Sequence, residues 1–393
     1  MISEKAKKVS PAITLQLGAM VKQMIADGES ITNLTLGEPD FNTPDKAKQK
    51  GIEAINNNIT KYDASSGNIE LRKTISEKMK KDSGLDYTVD QIVVTNGAKQ
   101  AILNTMLACL NPGDEVLIPT PCWVSYPEMA KIVGAVPVLV ETKADNSFKM
   151  SVKDAEKYIT PKTKMAIITN PSNPTGAVFN KDELFEICDY LTKKGIMILS
   201  DEIYEKMCFD FDFVSVASLS KEIYENTVVV NGLSKAGAMT GWRVGYCCSM
   251  PDVAKAVGAM QSNTTAHPCT VSQQAAIAAL RDCEEDTEAM AQAYRKRRDM
   301  IVDFFKKWGK LSLVYPQGAF YTFIDISPMS DKIEYEGSFS AFFCKDILKK
   351  QKVAFVPGSG FYKENYIRMS YAASEEEIAE GLNKLKNYIE NLI

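Results

Sequence analysis

Short apolar segments alternate with amphipathic ones between about residue 90 and residue 250. Amphipathic stretches such as 98–110 and 181–195 carry apolar residues at helical spacing. The apolar segments are rich in Val and Ile and have the length of buried strands, for example "IVVT", "EVLIP", "AIIT", "IMIL" and "TVVV". Buried strands that alternate with helices are typical of a mostly parallel sheet with helices on both faces. The pattern therefore predicts an α/β fold for this part of the chain.

The pattern changes after about residue 288. A long polar helix over 289–309 precedes a hairpin-like region at 313–327 and a further helix at 339–351. Such a mixture predicts a second, smaller α+β domain. The first forty or so residues are too few to form a core of their own, so we expect them to pack onto this domain. The predicted division is an N-terminal arm with part of the small domain (1–45), a large ligand-binding domain (46–287) and a small C-terminal domain (288–393).

Composition and charge exclude several classes of function. A net charge of −4 over 393 residues argues against binding to nucleic acid, and we expect the one basic cluster, 294–299, to lie on a solvated helix face. No apolar run approaches the roughly 18 residues that a membrane helix needs, and the N-terminus carries no secretory signal. The nine cysteines form no CxxC pair, and the single histidine, His267, suits a structural or surface role. We therefore expect no metal site and a cytoplasmic location.

Small and polar residues follow the predicted strands where parallel sheets bind ligands, beyond the carboxyl ends of the strands. Taken singly, each suits an ordinary structural role: a βα turn, a rigid Asn-Pro loop, a helix N-cap or a surface ion pair. Taken together, they would place a helix start, an amide, a carboxylate, a phenol, an amine and a guanidinium at one sheet edge. The residues are Gly97, Ala98, Lys99, Asn173, Asp201, Tyr204, Lys235 and Arg243.

This set of groups matches the needs of pyridoxal 5′-phosphate. The helix start and Arg243 suit the phosphate, because free backbone N–H groups and a planar guanidinium both bind anions. The protonated ring nitrogen needs a buried anion, which Asp201 would supply. Asn173 and Tyr204 can bond the phenolic oxygen. Lys235 provides the amine for a Schiff base, and a desolvated lysine is a usable nucleophile and base.

At this point the chain resembles the class I aminotransferases of PLP fold type I, in the aspartate-aminotransferase-like branch common in bacteria. The resemblance covers nearly the whole chain, and the motifs occur in the family's order and spacing. These motifs are "LTLGEPDF", "KYDASSGNIELR", "NGAKQA", "PGDEVLIPTPCWVSYPEM", "NPSNPTGAV", "SDEIYE", "LSKAGAMTGWRVGY", "GAFYTF" and "YIRMSYA". The resemblance implies a large domain with a mostly parallel sheet flanked by helices, plus a smaller α+β domain.

The resemblance also implies roles for individual residues. Lys235 would form the Schiff base and move the substrate proton, while Arg368 would bind the substrate α-carboxylate. Tyr62 would reach the cofactor phosphate of a neighbouring subunit, so a homodimer with shared active sites is implied. The implied catalytic residues are Lys235, Asp201 and Tyr204. The implied cofactor contacts are Gly97, Ala98, Lys99 (by its backbone), Trp123, Asn173, Asp201, Tyr204, Ser234, Lys235, Arg243 and Tyr62. The implied substrate contacts are Gly37, Trp123, Asn173 and Arg368.

The implied reaction is a ping-pong transfer of an amino group from an amino acid to a 2-oxo acid. Trp123 favours aspartate and 2-oxoglutarate as the substrates. Against this, Ala12 and Ile13 stand where acidic-substrate relatives often carry small polar residues, and only Thr14 fits. The helix after Lys99 has no basic residue for a second carboxylate, so that cation would come from a loop or a partner subunit.

Three other functions stay open on the sequence. The first is an aminotransferase for alanine, aromatic or other amino acids, which would need no cation for a side-chain carboxylate. The second is a carbon–sulfur β-lyase of the same fold, which keeps the same lysine and is separated by its products. The third is a non-enzymatic regulator of the same fold. We expect this function least, because such a regulator needs a DNA-binding domain and the segment before "GEPDF" is too short for one.

Overall fold

The computed structural model describes residues 2–7, 9 and 13–392 of the protein. Within these residues the helices are Glu4–Lys7 (α1), Ile13–Ala26 (α2), Asp45–Asn56 (α3), Ile69–Ser83 (α4), Ala98–Cys109 (α5), Ser125–Val133 (α6), Val152–Glu156 (α7), Lys181–Lys193 (α8), Lys221–Glu225 (α9), Leu233–Ala236 (α10), Pro251–Ser262 (α11), Thr270–Asp282 (α12), Glu284–Trp308 (α13), Phe339–Gln351 (α14) and Glu375–Glu390 (α15). The strands are Thr32–Asn33 (β1), Ile92–Thr95 (β2), Glu115–Thr120 (β3), Val136–Glu141 (β4), Thr163–Thr169 (β5), Met197–Asp201 (β6), Thr227–Gly232 (β7), Gly245–Cys248 (β8), Ser312–Val314 (β9), Tyr321–Asp325 (β10), Val353–Ala354 (β11), Val356–Pro357 (β12) and Tyr366–Ser370 (β13).

Seven strands form the large sheet, in the order β2-β8-β7-β6-β5-β3-β4. All neighbouring pairs are parallel except those that involve β8, which runs antiparallel to β2 and β7. Strands β5, β6 and β7 are adjacent and in register, with Thr169 opposite Asp201 and Asp201 opposite Val230. The segments that follow these strands therefore leave the sheet at one edge, as the sequence predicted.

Helices cover both faces of the large sheet, which confirms the predicted α/β architecture. Val93 and Ile167 pack with α5, α6 and α11 on one face, whereas their neighbours Val94 and Ile168 pack against helices on the opposite face. Successive side chains of a strand point to opposite faces, so strands that are buried on both sides must be apolar throughout. Each such Val or Ile side chain contributes about 1.5–3 kcal/mol by leaving water.

The C-terminal part contains a four-stranded antiparallel sheet in the order β12-β13-β10-β9. The N-terminal segment joins this part, because β1 pairs in parallel with β11. A separate apolar core lies here and is formed by α13, α14, α15 and β10. The domain boundaries 1–45, 46–287 and 288–393 stay a prediction.

The basic cluster at 294–299 is only in part the solvated face that the sequence suggested. Arg297 donates two hydrogen bonds, of 2.8 and 2.9 Å, to the carboxylate of Asp40. Arg298 is 2% exposed and donates two, of 2.8 and 3.0 Å, to Asp210. The inward face of α13 carries buried residues at helical spacing (294, 297, 298, 301 and 305), and the arginines belong to it. The prediction of a solvated face was therefore wrong for Arg297 and Arg298, which are buried and paired with carboxylates, whereas Arg295 and Lys296 are exposed as expected.

Candidate active site

A cleft of about 580 Å³ opens at the carboxyl edge of the large sheet and reaches the small antiparallel sheet. Eleven of the thirteen residues singled out from the sequence line this cleft, and only Gly97 and Tyr62 do not. The eleven are Gly37, Ala98, Lys99, Trp123, Asn173, Asp201, Tyr204, Ser234, Lys235, Arg243 and Arg368. Residues that follow β5, β6 and β7 meet here because parallel strands end at the same edge. Gly37, from the N-terminal segment, and Arg368, from β13, join them from outside the large sheet.

Lys235 lies on α10, a single helical turn that follows β7 directly. Its Nζ donates a hydrogen bond to the carbonyl oxygen of Gly37. The amine also lies 5.9 Å from the ring centroid of Tyr204 and 5.5 Å from that of Phe320. The side chain therefore points into the cleft, where apolar and aromatic atoms replace much of its water.

The electrostatic surroundings of Lys235 favour its neutral form. Burial lowers the pKa of the amine to about 8, because desolvation disfavours the charged state. Glu38 raises this pKa, whereas the positive charges of Arg368 and Arg243 lower it further. Near neutral pH the amine can therefore be present in both protonation states, as a proton carrier requires.

The turn before α5 and the side chain of Arg243 together form an anion-binding corner. Gly97 has φ +80°, and a Cβ built there would lie 2.4 Å from Nη2 of Arg243. The guanidinium donates to the backbone carbonyls of Thr240 (2.8 Å) and Asn96 (3.1 Å). Among the described residues, no carboxylate pairs with Arg243, and the first two N–H groups of α5 have no acceptor. These unused donors suit a phosphate.

Asp201 is a buried carboxylate without a cationic partner among the residues that the structure describes. It is 4% exposed and accepts hydrogen bonds from the Tyr126 hydroxyl (2.6 Å) and the Ile203 N–H (3.3 Å). Burial raises the pKa of this carboxyl, and the bond from Tyr126 opposes that rise. The Tyr126 hydroxyl also lies 2.9 Å from Oγ1 of Thr169. A cation that entered the cleft beside Asp201 would relieve the cost of the buried charge.

Arg368 is in the opposite situation to Asp201. It is a buried cation for which the described part of the chain offers no carboxylate. It is 3% exposed, and its guanidinium lies 4.3 Å from the ring centroid of Tyr321. It donates to Oδ1 of Asn173 (3.0 Å) and to the carbonyl oxygen of Thr35 (2.9 Å), while Nε has no partner. Burial lowers its pKa. A small carboxylate in the cleft would supply the missing negative charge.

Aromatic side chains complete the walls of the cleft. The hydroxyl groups of Tyr204 and Tyr321 lie 2.9 Å apart in a hydrogen bond. Trp123 lies edge-on to Tyr126, with ring centroids 5.2 Å apart. The Nζ of Lys99 lies over the Trp123 ring, 4.9 Å from its centroid. Burial and the neighbouring Arg243 lower the pKa of this amine. The side chain of Lys99, and not only its backbone, thus belongs to the cleft.

Two of the predicted site residues lie outside the cleft. Gly97 sits directly beneath Arg243, so it shapes the cleft without lining it. Tyr62 is 95% exposed, and its ring contacts His267 with centroids 5.9 Å apart. Residues 12–14 are a further part of the substrate prediction. Ala12 lies outside the described residues, and Ile13 and Thr14 are described only as helical backbone, so this part stays a prediction.

Comparison with known proteins decides the family. The family model for aminotransferase class I and II matches residues 29–385. A probable aspartate/prephenate aminotransferase from Aquifex aeolicus is 38% identical over 394 residues, which covers 100% of this chain and 99% of the relative. The aspartate aminotransferase of Bacillus subtilis is also 38% identical, with 99% of both proteins covered.

The chain belongs to the class I and II aminotransferases. The solved structure of the Thermus thermophilus aspartate aminotransferase with maleate matches the fold of this aminotransferase with a TM-score of 0.93. The two are 36% identical, and the match covers 98% of this chain and 99% of the other. The protein is therefore a transferase of amino groups that depends on pyridoxal phosphate.

The residues of the cleft fit this cofactor. A Cβ at Gly97 would fill the corner beside Arg243, so the glycine keeps room for a phosphate. Asp201 is a buried anion that lacks a cation among the described residues, which suits a protonated ring nitrogen. Lys235 brings an amine with a lowered pKa to the same cleft.

In the described residues no three His, Cys, Asp or Glu side chains form a group that could hold a metal ion, and no helix is long and apolar enough to cross a membrane.

Several residues of the cleft were missed by the sequence reasoning. Tyr126 comes three residues after Trp123 at the start of α6, and this helical spacing could have placed both rings on one side. Glu38 follows Gly37 in the "GEPDF" motif and was passed over, although it acts on the pKa of Lys235. For Tyr321 the sequence gives no signal beyond its place in "GAFYTF", because its contact with Tyr204 joins β10 of the small sheet to the turn that follows β6 of the large sheet.

Proposed function

We propose that this aminotransferase transfers the amino group of L-aspartate to 2-oxoglutarate by a ping-pong reaction. The observation that carries the proposal is a pair of cleft cations, Arg368 and Lys99, that pair with no carboxylate among the described residues. The cleft also contains Lys22, Lys235 and Arg243. We assign Lys235 and Arg243 to the cofactor, and Arg368 and Lys99 to the two carboxylates of a dicarboxylic substrate. Lys99 is preferred to Lys22 because its amine lies over the ring of Trp123. The names of the relatives support this choice, and maleate, bound to the Thermus enzyme, is itself a dicarboxylate.

Arg368 is the proposed site for the substrate α-carboxylate. Its guanidinium is held by Asn173 and Thr35 and leaves Nε unsatisfied. A planar fork that is already fixed in place binds a carboxylate with little loss of side-chain freedom. Gly37 lies beside the amine of Lys235 and would assist from its backbone.

Lys99 is the proposed site for the side-chain carboxylate of aspartate. The sequence indicated no such cation, because the helix that follows Lys99 contains no basic residue. In the structure the Lys99 amine itself lies in the cleft, over the ring of Trp123. Because Lys99 is exposed to solvent, although neighbouring atoms partly desolvate its amine, we expect an ion pair of modest strength. Such a pair suits discrimination between substrates more than tight binding.

Lys235 is the proposed base and acid at the substrate Cα. When bound, pyridoxal phosphate supplies the aldehyde that takes up the amino group. Its ring is also the electron sink for the electron pair that remains when the Cα proton leaves. Lys235 can hold and release a proton near neutral pH because burial lowers its pKa to about 8. Asp201 would hold the ring nitrogen of the cofactor in its protonated state, and Tyr204 and Asn173 would bond the phenolic oxygen.

The remaining proposed contacts hold the cofactor in place. The phosphate would be bound by the start of α5 and by the groups around it, and Trp123 would stack on the ring. Such contacts fix the reacting atoms relative to Lys235, which lowers the barrier through positioning. The proposed phosphate contacts are the backbone of Gly97, Ala98 and Lys99, together with Ser234, Arg243 and Tyr62.

A homodimer with shared active sites is the proposed assembly. Tyr62 is 95% exposed, and the described residues offer no partner for its hydroxyl. The helices and loop around it also expose large apolar side chains, namely Ile52, Ile55, Ile59 and Ile69. Apolar surface of this kind is common at subunit interfaces.

Subunit hybrids test this assembly. A hybrid dimer combines one Lys235→Ala subunit, which keeps Tyr62, with one Tyr62→Phe subunit, which keeps Lys235. If Tyr62 acts across the interface, the active site that contains Lys235 receives an intact Tyr62 from the other subunit. We expect that site to bind pyridoxal phosphate as tightly as the wild type. Affinity as weak as in the pure Tyr62→Phe protein would place Tyr62 in its own subunit.

The predicted domains and location are part of the same proposal. The large sheet lies within 46–287 and the four-stranded sheet within 288–393, and β1 of the first 45 residues pairs with β11. These positions support the three predicted segments.

All nine cysteines are free thiols, which supports a reducing, cytoplasmic setting.

Steady-state kinetics with a panel of amino donors tests the substrate. We expect kcat/KM for aspartate to exceed that for alanine, and Lys99→Met to reduce this preference about twofold to fivefold while alanine is little affected. Lys22→Met is the matched control, because Lys22 is also an exposed lysine lining the cleft. An unchanged preference in Lys99→Met would contradict the role of Lys99. Prephenate belongs in the acceptor panel, because relatives carry that name.

A further inference from the structure

The only histidine of the chain lies between α11 and α12 and binds the segment that carries Tyr62. Nε2 of His267 accepts a hydrogen bond of 2.9 Å from the backbone N–H of Asp63. Nδ1 lies 2.7 Å from the carbonyl oxygen of Pro268, which can only accept, so Nδ1 carries the hydrogen. The two contacts define one neutral tautomer of the imidazole. In this tautomer the lone pair of Nε2 accepts the hydrogen bond from Asp63, the residue after Tyr62.

The same histidine contacts the ring of Tyr62 itself. The two rings meet edge to face, with centroids 5.9 Å apart and planes at 90°. The Asp63 carboxylate is already engaged with the backbone N–H of Ala64 (2.8 Å) and with the side chain of Asn68 (2.8 Å). His267 thus fixes the backbone directly after Tyr62 and packs against its ring, while Tyr62 stays outside the subunit's own cleft.

The loop around His267 is itself tied to the large sheet. Gln261, at the end of α11, donates to the carbonyls of Val94 in β2 (2.7 Å) and Ser65 (2.6 Å). Gln273 of α12 donates to the Pro268 carbonyl (2.8 Å) and accepts from the N–H of Asn68 (2.7 Å). His267 is therefore held on a rigid support, and it transmits that rigidity to an exposed side chain.

We infer that His267 is a positioning residue, which holds Tyr62 in the conformation that reaches the cofactor phosphate of a second subunit. The inference rests on the proposed function, in which Tyr62 completes the partner's site. An exposed tyrosine that samples several rotamers loses that freedom on binding, and a fixed one does not. His267 acts through Tyr62 and touches neither substrate nor cofactor.

The test measures the dissociation constant of pyridoxal phosphate for the full-length, cofactor-free protein. Tyr62→Phe should weaken binding, since the hydroxyl is lost. His267→Leu, which removes the Nε2 acceptor, should weaken it about fivefold to tenfold, the effect of one hydrogen bond. His267→Gln should restore most of the affinity, because its amide oxygen can accept from Asp63. In a Tyr62→Phe background, His267→Leu should have no further effect.

The outcomes separate this inference from the proposal on which it rests. Full affinity in His267→Leu alongside weak binding in Tyr62→Phe overturns the positioning role and leaves the role of Tyr62 intact. Full affinity in Tyr62→Phe overturns both. An equal loss from His267→Leu in both backgrounds shows a general structural effect and also overturns the inference. If His267→Leu does not fold, His267→Asn, which is too short to reach Asp63, takes its place with the same expectations.

Discussion

The reactivity of Lys235 in the cofactor-free protein should follow a pKa of about 8, compared with 10.5 for an ordinary lysine. At pH 7 a pKa of about 8 leaves about a tenth of the amine unprotonated, whereas 10.5 would leave about 0.03%. The reactive fraction is therefore roughly 300-fold larger in the cleft than in water. The main cause is burial, so the effect should be present before any cofactor is bound.

The assay follows the capture of pyridoxal phosphate by the cofactor-free protein. The rate of the absorbance change is measured from pH 6 to pH 11, and Lys235→Ala gives the background. The rate should rise with pH and level off above about pH 8. A rate that keeps rising to about pH 10.5 would refute the view that burial controls this amine.

Two substitutions of neighbouring charges should move the inflection in opposite directions. Glu38→Gln removes a negative charge that raises the pKa of Lys235, so the inflection should move to lower pH. Arg243→Met removes a positive charge that lowers this pKa, so the inflection should move to higher pH. The same direction of shift in both variants would show that a change of structure, and not charge, is responsible.

Stability measurements give an independent check on the same pKa. The charged form of Lys235 is disfavoured in the folded state, so the wild type binds fewer protons than the unfolded chain between about pH 8 and 10.5. Its stability therefore gains from rising pH in this window, a gain that Lys235→Met lacks. The advantage of the cofactor-free Lys235→Met protein over the wild type should be largest below pH 8 and should shrink toward pH 10.5. An advantage that does not change with pH would contradict a lowered pKa.

Three further substitutions test other parts of the cleft. Arg368→Lys should lower kcat/KM about 100-fold for the amino acid and the 2-oxo acid alike, since a lysine cannot offer a planar fork. Tyr126→Phe removes a bond that keeps the pKa of Asp201 down, so kcat should fall about tenfold and the pH dependence of the bound cofactor's absorbance should shift. Gly97→Ala should weaken cofactor binding and cost about 1–3 kcal/mol in urea unfolding, because φ is +80° and the new Cβ meets Arg243. Wild-type values in any of these three measurements would contradict the contact concerned.

Most of the large sheet could be predicted because its strands are buried on both faces. The buried middle of β5 (165–168) and of β7 (228–230) is apolar at every position, and a short Val- and Ile-rich run between turn residues is therefore a strong sign of a buried strand. The position of the site follows from the same fact. Parallel strands end at one edge, so Asp201 and Lys235 could be placed together from sequence without knowing the strand order.

The contacts that tune the site could not be predicted in this way. The Tyr126 hydroxyl reaches Asp201 across 75 residues of sequence, and it does so because α6 packs against the large sheet. Gly37 meets Lys235 across 198 residues, and no strand pairing brings them together. Such contacts depend on the packing of elements in three dimensions, and the apolar pattern specifies which face packs but not how far a side chain reaches.

The arginines of this chain show why burial and charge have to be considered together. Arg298 and Arg368 are buried to nearly the same degree, at 2% and 3% exposure. Arg298 pairs with the carboxylate of Asp210, so its charge is balanced within the protein and it serves stability. Among the residues that the structure describes, Arg368 bonds only to neutral oxygens. An unbalanced buried charge costs free energy that a purely structural residue has no reason to incur. That cost is recovered when an anion binds, so the missing partner of Arg368 supports the proposed role of this residue in substrate binding more strongly than its place in a motif does.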